Sequence, residues 1–273
     1  MSKRKSRLLW LLALIITLAA AIYQKTTGPT YPVKGSVTID GKEYSYKLLR
    51  SHGGKGDAAI AIKVPKEISG IVKYRHFRSS EAFTSIKMQF EENKLVARLP
   101  HQPPAGKLEY YVMLKNGNNE YKLNQQAVVI RYKGRVPLGI LIPHIIFMFT
   151  AMFVSTRAGI EAIAGGSKTK VLTLVTLVSL FIGGLILGPF VQKYAFGEFW
   201  TGWPFGGDWT DNKTIFGWLF WLIAYLVLRK KPQNKLWPII AMIVLFAVYM
   251  IPHSMGGSEL NTKTGKISTG LKK

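Results

Sequence analysis

Residues 137–156 read PLGILIPHIIFMFTAMFVST, twenty positions without a charge, and Arg157 follows at once. At 1.5 Å per residue a helix of that length spans about 30 Å, the thickness of a bilayer's hydrocarbon core. Comparable stretches lie at 8–23, 171–191, 214–228 and 236–252. Charges bound them: Lys3, Arg4, Lys5 and Arg7 before the first, Lys168, Lys170 and Lys193 around the third, and Arg229-Lys230-Lys231 and Lys235 between the last two. The stretch 214–228 is short, and Trp209, Trp218, Trp221 and Trp237 lie in or near it, which fits local thinning or an interfacial seat. The expected fold class is a membrane α-helical bundle, one N-terminal plus four C-terminal transmembrane helices, with an all-β domain inserted between them.

The chain has 273 residues, 37 Lys+Arg against 14 Asp+Glu, and a net charge of +23. Its apolar runs are concentrated in 136–253, whereas 24–135 is charged, so an ordinary soluble enzyme and a disordered or collagen-like chain are excluded. The absence of cysteine excludes disulfides, zinc–thiolate sites, iron–sulfur clusters and thiol chemistry. The first stretch has two readings. Its basic start and Ala19-Ala20-Ala21 fit a cleaved signal peptide, while Trp10 and Tyr23 at interface depth fit an uncleaved anchor, which is preferred.

Short-loop charge sets the orientation. With the N-terminus inside, segments 1–7, 157–170 and 229–235 carry eleven basic residues, and the outer segment 192–213 carries only Lys193 and Lys213. The expected location is a bacterial inner (cytoplasmic) membrane, N-terminus cytoplasmic, β domain and C-terminus periplasmic. The expected organisation is an anchor or signal peptide at 1–29, an outer β-sandwich at 30–133, a four-helix membrane domain at 134–257 with an aromatic outer loop at 188–213, and a polar tail at 258–273. Residues 261–273 are expected to be disordered.

Within the outer region, strands are expected at 35–39, 43–49, 58–64, 71–77, 85–90, 95–99, 108–114, 121–123 and 127–132. Asp40-Gly41 is a type I′ hairpin signal, and Asn116-Gly117 marks a second turn. Short strands with a turn about every ten residues read as a sandwich. The glycine-rich 51–56 matches no phosphate-cradling loop and is read as a hairpin loop.

Ala97–Leu114, ARLPHQPPAGKLEYYVML, resembles the segment leading into the sixth strand of fibronectin-type-III or immunoglobulin-like domains. The resemblance implies a corner tyrosine, Tyr110 or Tyr111, and implies no activity, because such sandwiches act mostly as spacers and binding modules. The membrane part resembles no family.

The outer region's excess of Lys+Arg over Asp+Glu reads first as a solvated face. Acidic lipid headgroups, glycans or an acidic protein are its possible partners, and nucleic acid is not expected. His52, His76 and His101 have no ligand spacing and read as surface histidines.

Two further features bear on function. Residues 188–211 hold eight aromatics together with Glu198, Asp208 and Asp211. An aromatic belt would account for the Trp and Phe residues but not for the acids. Histidines also fall in or beside spans. His144 should lie about 10 Å below the outer surface, and His253 roughly 25 Å above the inner one, so both fall in the outer third of a core about 30 Å thick. Ionisable groups in spans are functional candidates by default. His144 and His253 could together hold haem b, or one of them a quinone. His144 could equally hydrogen-bond to a neighbouring helix's backbone. On the inner side, Arg157 and Glu161, four residues apart, are expected to pair at a solvated helix end.

No nucleophile elbow, zinc-protease or nucleotide-loop motif occurs. The expected function is a non-catalytic accessory or assembly protein that binds a periplasmic protein partner through the Ig-like domain and the cap. Glu198, Trp200, Trp203, Asp208, Trp209, Asp211 and Glu259 are the candidate contact residues. The alternative is a redox protein with haem b or a quinone at His144 and His253. A third reading has the cap's carboxylates acting on a lipid-linked substrate.

Overall fold

The computed structural model describes residues 1–252, 257–262 and 264–269, so His253 lies outside the described residues. It combines helices with several β-sheets. Strands β1 (Val33–Ile39) and β2 (Lys42–Leu48) form the expected hairpin. Asp40 and Gly41 have φ of 49° and 75°, the left-handed pair that a type I′ turn requires. Next come β3 (Ser51–Gly53), β4 (Ala58–Ile62), β5 (Ser69–His76), β6 (Thr84–Lys87) and β7 (Gln89–Glu91). They are followed by β8 (Lys94–Leu99), β9 (Lys107–Asn116), β10 (Asn119–Lys122) and β11 (Val128–Lys133).

One sheet runs β3-β11-β9-β5-β6, with β10 also on β9, and the other runs β4-β8-β7. Alternation buries Ile60 and Ile62 of β4, Leu95, Ala97 and Leu99 of β8, and Leu108, Tyr110, Val112 and Leu114 of β9 in one shared core. Tyr110 is the buried member of the tyrosine pair, and its hydroxyl donates to the Leu49 carbonyl at 2.9 Å. Tyr111 faces outward under Lys122.

Two local readings are corrected, and one feature is added. Residues 51–53 are not part of a hairpin loop; they form β3, which pairs parallel to β11 through Ser51 and Arg131. The single strand expected at 85–90 divides at Met88, whose N–H donates to the Gly70 carbonyl at 2.8 Å, and the chain there crosses from the partner of β5 to the partner of β8. Between β10 and β11 the Asn124 side chain replaces ladder bonds, accepting from Val112 N–H and donating to the Tyr110 carbonyl.

The helices are α1 (Lys3–Thr27), α2 (Leu138–Ile163), α3 (Thr169–Leu180), α4 (Gly188–Phe196), α5 (Trp209–Lys230) and α6 (Leu236–Met250). A π-helical segment, Phe181–Leu187, joins α3 to α4. Lys3–Thr27, Leu138–Ile163 and Thr169–Phe196 are long and apolar enough to cross a membrane, and α6 is a shorter apolar helix. The Gln24 amide donates to the Tyr249 carbonyl and Lys213 Nζ to the Ile251 carbonyl, both at 2.7 Å. Gly134 N–H donates to the Ala195 carbonyl at 3.0 Å. The C-terminal ends of α1, α4 and α6 therefore meet the N-terminal ends of α2 and α5 at the sandwich end of the bundle. A Cβ at Gly134 would stand 2.1 Å from the Tyr194 carbonyl oxygen, so this seam excludes any side chain.

The tail also departs from expectation. Strand β12 (Glu259–Leu260) is tied to the sandwich by Leu260 N–H, which donates to the Ala105 carbonyl at 3.1 Å, and it pairs with β13 (Ile267–Ser268), the part of 261–273 that forms a strand.

The opposite end of the bundle supplies the largest correction. Arg157 and Glu161 do pair, at 2.5 Å, but each is only 1% exposed, so the helix end is not solvated. Trp10 of α1 covers the guanidinium at 5.3 Å. Glu161 Oε1 accepts Lys168 N–H at 3.2 Å and folds the α2–α3 turn inward. A Cβ at Gly166 would strike that carboxylate at 2.1 Å. Removing one member of a buried pair strands the other charge. Glu161→Ala is therefore expected to cost about 3–5 kcal/mol, whereas Arg157→Met with Glu161→Leu restores most of the loss. Unfolding of the two variants and the unaltered chain in detergent checks this; equal losses in the single and double variants would contradict it.

Candidate functional site

The chain leaves the sandwich through β11, and that strand carries a buried cation. Burial in Val128–Lys133 does not alternate at its end: Ile130, Arg131 and Tyr132 are all buried. Arg131 is 6% exposed. Its Nη2 donates to the Ser258 carbonyl, and its guanidinium lies 4.2 Å above the Phe196 ring. Nε has no hydrogen-bond partner, and Arg131 forms no ion pair among the described residues. Burial pushes its pKa down to about 10, although the Asp208 and Glu259 charges oppose the shift.

Arg131 lines a cavity of about 120 Å³ at the seam of sandwich, bundle and cap. Gln192, His144, Asp208 and Asp211 also line it. His144 Nδ1 donates to the Gly183 carbonyl at 2.8 Å, which leaves only Nε2 available. That carbonyl belongs to the π segment, where Gly188 N–H bonds back to Gly183. Pro189 cannot supply the next helical donor and its ring displaces the carbonyl one turn back, so the wider turn relieves a local conflict.

The cap acids have structural tasks. Asp208 caps α5, with Oδ1 accepting Thr210 N–H at 2.7 Å and Oδ2 the Thr201 hydroxyl at 3.1 Å. Asp211 Oδ2 accepts Thr201 N–H at 2.7 Å and the Gln192 amide at 3.2 Å. Trp203 N–H donates to Asn212 Oδ1 at 2.6 Å, and Trp200 Nε1 to the Trp203 carbonyl at 3.1 Å. The loop base is thus fixed by buried bonds, while its tip is open: Trp203 is 75% and Phe205 83% exposed.

The structure brings His144, Asp208 and Asp211 to one chamber. Glu198, Trp203 and Trp209 are exposed outside it. Glu259 instead pairs with Lys107 at 2.8 Å. Arg131, Gln192 and Thr201 are not among the sequence candidates. A charge inside the apolar run Ala127-Val128-Val129-Ile130-Arg131 was the available signal for the first. No group of three or more His, Asp or Glu side chains able to hold a metal occurs among the described residues.

Comparison with protein-family models, curated proteins and solved structures returned no match. Function must therefore be argued from the site.

Asp211 lies in the first turn of α5, before the apolar stretch 214–228. Burial, with Asp208 adding repulsion, pushes its carboxyl up from 3.8 to about 6 despite the Thr201 donors. The folded chain then holds a proton that the unfolded chain has already released between those values. This group's stabilising contribution is complete below the unfolded value and lost as pH rises through about 6. The gap corresponds to on the order of 3 kcal/mol. Melting of the purified chain is expected at a lower temperature at pH 7.5 than at pH 5, with the difference reduced in Asp211→Asn. An undiminished difference in that variant would assign the titration elsewhere.

Proposed function

We propose that this chain is a multi-pass inner-membrane protein whose immunoglobulin-like sandwich and aromatic cap form one outer binding head for a protein partner, in an accessory or assembly role. The membrane reading is supported by three long apolar helices and by basic residues at the bundle end away from the sandwich. The packing of α1 into the bundle, with Ala13, Thr17 and Ala20 buried, supports an uncleaved anchor. The immunoglobulin-like reading is supported by β9 lying between β5 and β11 in one sheet, opposite the β4-β8-β7 sheet.

One observation carries the binding role: two large aromatics, Trp203 and Phe205, stand exposed at the tip of a loop whose base is locked. Preordered aromatic anchors bind at low entropic cost and dominate interface energetics. The redox alternative has less support. The His144 Nδ1 bond to a backbone carbonyl leaves Nε2 able to ligate, so the weight against a cofactor lies in the space beside it. The cavity of about 120 Å³ is below the roughly 300–1,000 Å³ of drug-sized ligand pockets, and a porphyrin would require it to open.

A photo-crosslinking residue placed at 203 or 205 of the full chain in its native membrane tests the role. One protein adduct of discrete mass, absent when the probe replaces Lys42, is the expected result. Adducts with lipid alone would make the tip an interface anchor and reject the partner role.

A further inference from the structure

The unpaired Arg131 raises a question that partner binding does not answer. The Asp208 and Glu259 charges reach Arg131 but no carboxylate touches it, and a buried guanidinium is usually met by a carboxylate or phosphate in contact. Neither chamber acid serves. Asp208 is committed to the α5 N-terminus and Thr201, Asp211 to Thr201 and Gln192, and both remain beyond ion-pair distance of Arg131. A second buried polar atom nearby, Ser258 Oγ, also has no hydrogen-bond partner among the described residues. The chamber of about 120 Å³ has the volume for a small oxyanion head; Asp208 and Asp211, which also line it, are held by Thr210 N–H, Thr201 and Gln192, so Arg131 Nε is the charged group's donor left open to an anion.

The chamber has an apolar neighbour. His144 and Met148 line both it and a second cavity of about 150 Å³ bordered by Thr17, Ala21 and Tyr249. Ala21, Gln24 and Phe149 line in turn both that cavity and an outer groove of about 460 Å³ along α1. The Arg131 chamber, the slot and the lateral groove thus adjoin one another through shared lining residues, from a buried cation to the apolar flank of the bundle.

We propose that this series binds a membrane amphiphile with a small oxyanion head, a carboxylate or phosphate monoester, seated against Arg131 and its alkyl chain lying between α1 and α2. The head supplies an anion in direct contact with the guanidinium. The chain occupies the slot beside Met148 and Phe149. The same head chemistry could come from a free anion, and the tail is what separates the two sources. The proposal is independent of any protein partner at the cap.

The test uses the full chain in detergent with four probes: oleate, oleoyl lysophosphatidate, acetate and inorganic phosphate. Native mass spectrometry counts adducts, and thermal shift gives relative affinity. Each amphiphile is expected to bind once per chain and at least tenfold more tightly than its matched free anion. Arg131→Gln should weaken amphiphile binding at least tenfold. Ala21→Phe, which fills the slot, should weaken amphiphile binding while leaving phosphate unaffected. Should Arg131→Gln fail to fold, Ala21→Phe still discriminates. Phosphate binding as tightly as the lysophosphatidate, with no effect of Ala21→Phe, would define a free-anion site and overturn the lipid assignment. Absence of adducts on the folded chain, or equal binding to wild type and Arg131→Gln, would overturn the proposal entirely.

Discussion

Desolvation of the Arg131 guanidinium is the constraint on which the seam depends. The cation sits where the sandwich ends and the bundle begins, and the tail, α4 and the cap meet around it. The tail supplies the Ser258 carbonyl, α4 supplies the Phe196 ring, and the cap places Asp208 within electrostatic reach. None of these is a full counter-charge. Stacking on an aromatic and one carbonyl bond recover part of the lost hydration, and the remainder is left to whatever fills the chamber. The seam is otherwise close-packed, as the Gly134 contact with Tyr194 shows, so the chamber is a local exception and not general looseness.

The cap divides its labour by chemistry. Its polar residues turn inward, where Asp208, Asp211, Thr201 and Gln192 satisfy one another and the backbone of the loop. Its aromatics turn outward at the tip. The bundle carries a second buried polar cluster at its other end, Arg157 with Glu161, where the charges neutralise each other. At Arg131, by contrast, no carboxylate among the described residues touches the guanidinium.

Much of the architecture was legible from periodicity. Apolar runs located the helices, and two-residue alternation located most strands, because both patterns follow from local geometry. What escaped were features set by distant partners. β3 is three residues long and exists because β11 lies beside it. The break at Met88 reflects a change of sheet, not a change of hydrophobicity. The π segment was signalled by Gly188-Pro189 but is uniform in composition with its helix. Of the candidate site, His144, Asp208 and Asp211 were legible as polar residues in apolar surroundings, but the task of the two acids as loop fasteners was not, since it depends on Thr201 and Gln192. Arg131 was passed over as one of many surface cations, and its neighbours Gln192 and Ser258 come from elements far away in sequence. His253, paired with His144 by depth alone, lies outside the described residues.

Imaging the full chain in a lipid nanodisc by cryo-electron microscopy, at a resolution that shows ordered ligands, addresses the chamber most directly. Density for an oxyanion within hydrogen-bonding distance of Arg131, continuing as a chain past Met148 toward α1, is the predicted result. An Asp208 or Glu259 carboxylate swung into contact with the guanidinium, with only water beside it, would contradict the account.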